Sequence, residues 1–455
     1  MSKAFKRTVI SDDYVLDSAQ SAYDIYIASG HMPVDAFLHS IVSYLLFSPE
    51  FLFKSYRGSS SIDGVFNLSN DDLAHKISFL FWGEPASNHL LSLDWKSLLS
   101  SDQISLETEL IDIVANEKSK YFITNFLNQW LGLDELPQEG LEVSNHDKYE
   151  SELKAESEHF IRSIIWDNEP ASTIVNANYT FLNQAMADYY QVAINGLGTS
   201  YQKVNLSDIP DLANRQGLFT QANYLTIGRK SDRPGSVARG VTLLTKALCH
   251  DLGVPSGESP DLSQVDRSMH TETSLFRMVT ETPGTTCVGC HESINPVSFT
   301  FEVFDKNGRH PFSYANSDGS IPEFLIYDTV GIPNHPLANG PILKSDVFFL
   351  DQRSGSINLS NHHGHTISGS FNNHKELLTL LGNSQAFTEC LTDQLYDYII
   401  GTTSEKGMSP SHPDQAAKHH AHTCSKRQIS QNATGVRDII INLIKTKAFT
   451  TIRRN

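Results

Sequence analysis

The most specific chemistry in the chain sits in one short stretch, Cys287-Val288-Gly289-Cys290-His291. Two thiols three residues apart can reach the two vinyl groups along one side of a porphyrin, and the imidazole that follows then lies beneath the iron. A Cys-x-x-Cys-His run is the attachment sequence of a c-type haem. The expectation is one covalent haem c, with Cys287 and Cys290 as thioether anchors and His291 as the proximal iron ligand. Three other readings of these residues are weaker. A structural zinc site needs two further ligands, and Cys249, Cys390 and Cys424 are too scattered to supply a second pair. A thioredoxin-like dithiol sits at a helix start after a β-strand, whereas Glu281-Thr282-Pro283-Gly284-Thr285-Thr286 reads as a turn with no apolar strand leading in. A plain disulfide between Cys287 and Cys290 leaves His291 unexplained.

The remaining cysteines and histidines offer less. Cys390 and Cys424 both lie in the C-terminal helical part, and an oxidising compartment would join them across a loop of about 35 residues, worth up to about 4 kcal/mol. Two buried free thiols is the alternative. Cys249 is then odd and reads as a small apolar side chain at a helix end. His362, His363 and His365, and again His419, His420 and His422, could hold a transition metal. Neither set shows the i, i+4 pairing with a carboxylate of catalytic zinc, and both read as solvent-exposed loop histidines. Asp305-Lys306-Asn307-Gly308 has a faint calcium-loop look but lacks the closing glutamate and reads as a turn. There is no Gly-x-Ser-x-Gly, no P-loop and no dinucleotide fingerprint.

The elements that must position these residues are mostly helical. Val34 to Phe53 has the pattern of an amphipathic helix ending near Ser48-Pro49. Ser69 and Asp72 form a capping-box pair ahead of Leu73, Ile77, Leu80 and Phe81 at helical spacing. Leu106 to Leu131 reads as a helix or helix pair running into Gly132, Tyr149 to Ile165 as another, and Phe181 to Val192 as a third. The first 200 residues are therefore expected to be all-helical. Loops follow from Ile209, helical period returns over Ser236 to Cys249, and Ser298 to Asp305 alternates like a half-buried strand. Strand and turn signals dominate Pro311 to Phe371, as in Glu323 to Tyr327, Val347 to Leu350 and Ser356 to Leu359. Lys375 to Leu381, Ala386 to Ile400 and Gly435 to Ala448 close the chain as helices.

At 455 residues the chain is long enough for two to four domains. Its 35 basic against 52 acidic residues give a net charge of −17, which argues against nucleic acid or an anionic membrane as a partner. The longest apolar region, Phe37 to Phe53, is interrupted by His39, Ser40, Ser43, Ser48, Pro49 and Glu50, so no transmembrane segment is expected. The opening Met1-Ser2-Lys3-Ala4-Phe5-Lys6-Arg7-Thr8 has no apolar core of a signal peptide.

Taken together these stretches resemble the planctomycete-type cytochrome c family, a multi-domain assembly of domains of unknown function with a C-terminal haem c module. Ala4-Phe5-Lys6-Arg7, Phe47 to Phe53 and Leu73 to Gly83 resemble its N-terminal helical modules, and Asn128-Gln129-Trp130-Leu131 the end of that part. Arg215-Gln216-Gly217-Leu218, Val237-Ala238-Arg239-Gly240 and Cys287 to Arg309 resemble its haem module. Cys390 to Gly401 and Val436 to Phe449 resemble its C-terminal module. The family usually has Asp-Pro-x-Gly after the haem histidine; here Asn295-Pro296-Val297-Ser298 stands instead, so a glycine turn is expected to be lost. Longer members carry a module upstream of the Ala-Phe-Lys-Arg position, which makes a truncated or processed form the expectation for this chain.

The resemblance implies a mainly α fold, with a cytochrome c-like haem module and a small β-rich insertion. The expected divisions are helical modules at 1–60 and 61–205, a haem c module at 206–315, the insertion at 316–372 and a C-terminal helical module at 373–455. It also implies a periplasmic, cell-surface or secreted protein that exchanges single electrons with a redox partner protein. A haem-dependent oxidoreductase or peroxidase is the first alternative, and a partner-binding scaffold stapled by haem the second. For the sixth iron position, the only methionine after His291 is Met408, beyond the β-rich segment. His310, at the end of the haem-module stretch, and then His270 are the first candidates, with Met278 as the main alternative and an open site after it.

Overall fold

Helical periodicity becomes helix along most of the chain. The structure, a computed structural model, describes residues 14–47, 60–62, 65–100, 103–133, 143–229, 234–253, 287–310, 354–401 and 426–453. It is mainly α, with small antiparallel sheets. Its contacts divide it into two compact units, Met1–Phe122 with Ile440–Asn455, and Ile123–Ile439.

In the first unit, α1 (Tyr14–Ala28) turns through Gly30 into α2 (Pro33–Phe47), and the two pack together. The predicted capping box starts α3 (Asn70–Trp82): Ser69 Oγ accepts from Asp72 N at 3.1 Å and Asp72 Oδ2 from Ser69 N at 3.2 Å. Gly83 ends α3 in the left-handed conformation, while Leu73, Ile77 and Phe81 face inward. The expected helix pair is α4 (Gln103–Ala115) and α5 (Lys120–Leu131), the latter beginning in this unit, continuing from Ile123 in the second and stopping at Gly132 with φ 69°. Strand β2 (Val65–Asn67) pairs antiparallel with β1 (Ser60–Ile62) on one side and with the strand Thr451–Arg453 on the other, which ties the two ends of this unit together.

The second unit is built on α6 (Val143–Asp167). The first 200 residues are not all-helical, because Tyr179–Leu182 is strand β3, paired antiparallel with β4 (Gln202–Asn205). The run predicted as one helix from Phe181 divides at Asn183, whose side chain accepts from Met186 N at 2.9 Å and caps α7 (Gln184–Tyr190). Aromatic and β-branched side chains before a strong N-cap favour a strand followed by a helix.

Then come α8 (Ser236–Thr242), a π turn over Leu243–Ala247, and α9 (Val288–Ser298). The expected strand from Ser298 to Asp305 is instead a 3-10 continuation of α9 over Phe299–Val303. Thr300 to Phe304 are buried on every side, so the alternation carried no facing information. The carbonyls that a neighbouring strand would have used are taken by Arg239. The strand at Ser356–Leu359 is present in a hairpin of β5 (Gly355–Ser360) and β6 (Thr366–Phe371). The strand signals from Pro311 to Leu350 lie outside the described residues. Helices α10 (His374–Gly382), α11 (Gln385–Ile400) and α12 (Val436–Ile444) follow. Among the described residues no helix is long and apolar enough to cross a membrane.

Candidate functional site

Cys287 stands at the N-cap of α9, so the attachment residues occupy its first turn. At 100° per residue, Cys287, Cys290 and His291 fall on one stripe, while Glu292, Ser293 and Pro296 fall on the opposite one. The opposite stripe lies against the β5–β6 hairpin and, with Ser356 to Leu359 and Ser368 to Ser370, lines a cavity of about 760 Å³. Further along the thiol stripe, Ile294 and Ser298 are buried. The first turn is open by contrast: Val288 is 45% exposed, and no atom lies within 4 Å of a side chain built on Gly289.

Both thiols are free and partly buried. Cys290 Sγ donates to the carbonyl of Leu252 at 3.0 Å, so the segment leaving the π turn passes beside the anchors. His291 Nδ1 meets Asn295 Oδ1, one turn on, at 2.8 Å. With Nδ1–H donated to that oxygen, Nε2 carries the lone pair a metal ligand needs. Two thiols outside any disulfide and an oriented imidazole on one helical stripe are residues of the types that fit a haem c. Asn295 was not singled out from sequence, although its i+4 spacing from His291 is the signal that finds it.

What holds α9 in place are the residues by which the chain resembles a haem module. Arg239, fully buried on α8, donates to the carbonyls of Leu225, Phe301, Phe304 and Asp305. Arg215 donates to Thr220 and Gly308. A Cβ at Gly240 would come within 2.0 Å of Ser298 Oγ, so α8 and α9 touch where the side chain is absent. The expected loss of a glycine turn at Ser298 has no structural counterpart, since Ser298 is helical (φ −63°, ψ −42°) and the glycine needed there belongs to the other helix. Trp130 is buried, and its Nε1 donates to the Lys246 carbonyl in the π turn at 2.7 Å. Asp305 forms the predicted turn, its Oδ1 accepting from Asn307 N and Arg309 N at 2.8 and 2.7 Å.

Of the candidate sixth ligands, His310 is the one among the described residues. His310 follows the far end of the α9 and 3-10 segment, roughly 20 Å along the axis from His291. There its ring lies 5.4 Å from that of Phe304 and 6.4 Å from that of His374. His270 and Met278 lie outside the described residues, as does Met408.

The disulfide differs from expectation. Cys390 is joined to Cys249, not to Cys424, with Cα atoms 5.4 Å apart and a sequence separation of 141. Cys249 ends the π turn, and α11, which packs on that turn, carries Cys390 to it. Cys424 lies outside the described residues.

His362, His363 and His365 are not simple solvent-facing loop residues. The β5–β6 turn folds them onto two buried carboxylates of α11, Glu389 and Asp393, one helical turn apart. Nε2 of His362 and Nε2 of His363 lie 2.8 and 2.7 Å from the same oxygen, Asp393 Oδ2. Lys426 Nζ lies 3.5 Å from Oδ1. His365 Nδ1 bonds to Glu389 Oε2. Asn361 sets the turn, its Oδ1 accepting from the backbone N–H of His363 and His365 while its Nδ2 donates to Glu389. Burial would raise the Asp393 carboxyl, but the bonds from His362 and His363 and the Lys426 ammonium outweigh it and hold it well below the usual carboxylate range. The bond to Asp393 raises His362 in turn. The histidines at 419, 420 and 422 lie outside the described residues.

Two segments match known family models. Residues 68–192 match PSD4, a protein of unknown function (DUF1592), and residues 215–312 match PSCyt3, a protein of unknown function (DUF1588). Neither a curated protein nor a solved structure matches the chain. The second segment contains the whole of α9, with Cys287, Cys290 and His291. Over these two segments the chain is similar to planctomycete cytochrome-c-associated domains.

Proposed function

We propose that the chain is an exported bacterial protein that carries one covalent haem c and exchanges single electrons with a redox partner protein. The observation that carries this reading is the first turn of α9. Two half-buried thiols outside any disulfide and an imidazole held through Nδ1 share one helical stripe there. The segment's similarity to a cytochrome-associated domain supports it. When bound, the haem supplies an iron-centred one-electron couple. Cys287 and Cys290 would hold the group through thioethers, and His291 would offer Nε2 to the metal. Asn295 fixes the imidazole plane, and Arg239 holds the other end of the same helical segment, so the ligand keeps its position when the charge at the site changes.

The test is a spectroscopic redox titration of the haem-loaded protein, with carbon monoxide added to the reduced form and cyanide to the oxidised form. A reversible one-electron curve with no ligand binding supports electron transfer. Stoichiometric binding of either ligand, together with substrate turnover, would replace it by a haem oxidoreductase.

A further inference from the structure

The turn joining β5 and β6 converges two imidazoles on one carboxylate oxygen, away from the cysteine anchors of α9. We infer that His362 Nε2, His363 Nε2 and Asp393 form a binding site for a divalent transition-metal ion such as Zn²⁺ or Co²⁺.

Four features support this, and they are geometric. Each imidazole Nε2 already meets Asp393 Oδ2, at 2.8 and 2.7 Å, and the two rings lie 4.0 Å apart. Coordination bonds of about 2.0–2.1 Å at a tetrahedral angle would separate the nitrogens and the oxygen to about 3.3 Å, an opening of about half an ångström. The donors are oriented from behind. His362 Nδ1 lies 3.2 Å from the Cys249 carbonyl, the outer partner that leaves Nε2 as the ligand atom. The backbone of His363 is held by Asn361, itself 6% exposed and bonded to Glu389. The site also contains a buried oxygen with no hydrogen-bond partner among the described residues, Oε1 of Glu389, which is 2% exposed; Asp393, 5% exposed, makes no hydrogen bond through Oδ1 but faces the Lys426 ammonium there at 3.5 Å, a charge that an incoming cation has to offset.

Finally, the site has a way in. The His362 side chain is 47% exposed against 9% for His363 and 7% for Asp393, so an ion arrives from the His362 side and keeps water in its remaining position. Two imidazole nitrogens and one carboxylate select a borderline transition metal over Ca²⁺ or Mg²⁺, which prefer oxygen ligands. Cys249 Sγ lies in the same cluster, within 4.8 Å of the His362 and Asp393 donor atoms. In the disulfide it is not a thiolate and lends the site no charge.

The test is titration of the full-length, disulfide-intact protein with ZnCl₂ by calorimetry, and with CoCl₂ by visible absorption. The expected result is one saturable site with a four- or five-coordinate cobalt spectrum. Affinity should fall at least about a hundredfold in H363A and in D393N, since loss of mere outer partners already costs 10–100-fold. H362A removes a half-exposed side chain, so it should fold normally and still lose the site. H365Q, outside the ligand set, should retain it. The absence of saturable binding would overturn the inference. So would binding that is unchanged in both H362A and H363A, which would assign the ion to other histidines such as those at 419, 420 and 422.

Discussion

On the proposed haem c reading, Asn295, whose Oδ1 lies 2.8 Å from His291 Nδ1, sets how strongly that imidazole would donate to a metal. An amide oxygen accepts the Nδ1 proton without pulling it away, whereas a carboxylate at that position would push negative charge onto the ring. The resembled family usually has aspartate there, so this chain carries the neutral variant of the pair. N295D should therefore lower the midpoint potential of the loaded protein, and N295A should broaden the haem spectrum as the imidazole plane loosens. An N295D potential equal to or above the wild type would contradict that role. At this scale the shared face of Cys287, Cys290 and His291 was legible because residues three and four apart on a helix lie together. The partners of the loop histidines were not. Glu389 and Asp393 are separated from His362 in sequence, and only the packing of α11 under the hairpin turn brings them together.

At the scale of the elements, α6 is held to β3 and α7 by a buried acid. Glu156 accepts from Thr180 Oγ1 at 2.6 Å and from Tyr190 OH at 2.7 Å, and is 1% exposed. Burial raises its pKa to about 7, against the opposing pull of those two hydrogen bonds and of Arg215. A folded value above the unfolded 4.5 means that its contribution to stability is complete below that value and is lost as pH rises through about 7. At 1.36 kcal/mol per unit the loss is about 3 kcal/mol. Urea unfolding at about pH 5 and about pH 8 should show this decline in the wild type and a much flatter difference in E156Q. Equal differences in the two proteins would remove Glu156 as the cause. Helices with strong caps, such as α3 after Ser69, could be read from sequence because the signal is local. The 3-10 segment after Ser298 could not, since its alternating pattern satisfies strand and helix alike once every side is buried.

For the whole molecule, the Cys249–Cys390 bond spans a sequence separation of 141 within the second unit and encloses α9. A loop of that length is worth about 5 kcal/mol in the chain-entropy model. Non-reducing peptide mapping of the exported protein should recover Cys249 linked to Cys390, and C249S/C390S should unfold at markedly lower denaturant. Recovery of a Cys390–Cys424 peptide would contradict this pairing. Sequence spacing alone pointed to the nearer cysteine, because it carries no information about which helices pack; α11 lies on the π turn and makes the longer link. The mainly α class was legible from periodicity throughout, and the −17 net charge is consistent with a partner other than nucleic acid. The central claim is the haem itself. A reduced-minus-oxidised spectrum with a pyridine haemochrome assay, on protein matured in the periplasm and then denatured and extracted with acidified solvent, tests it most directly. The account predicts one c-type haem per chain that stays with the polypeptide and is lost in C287A/C290A; an extractable pigment, or none, would contradict it.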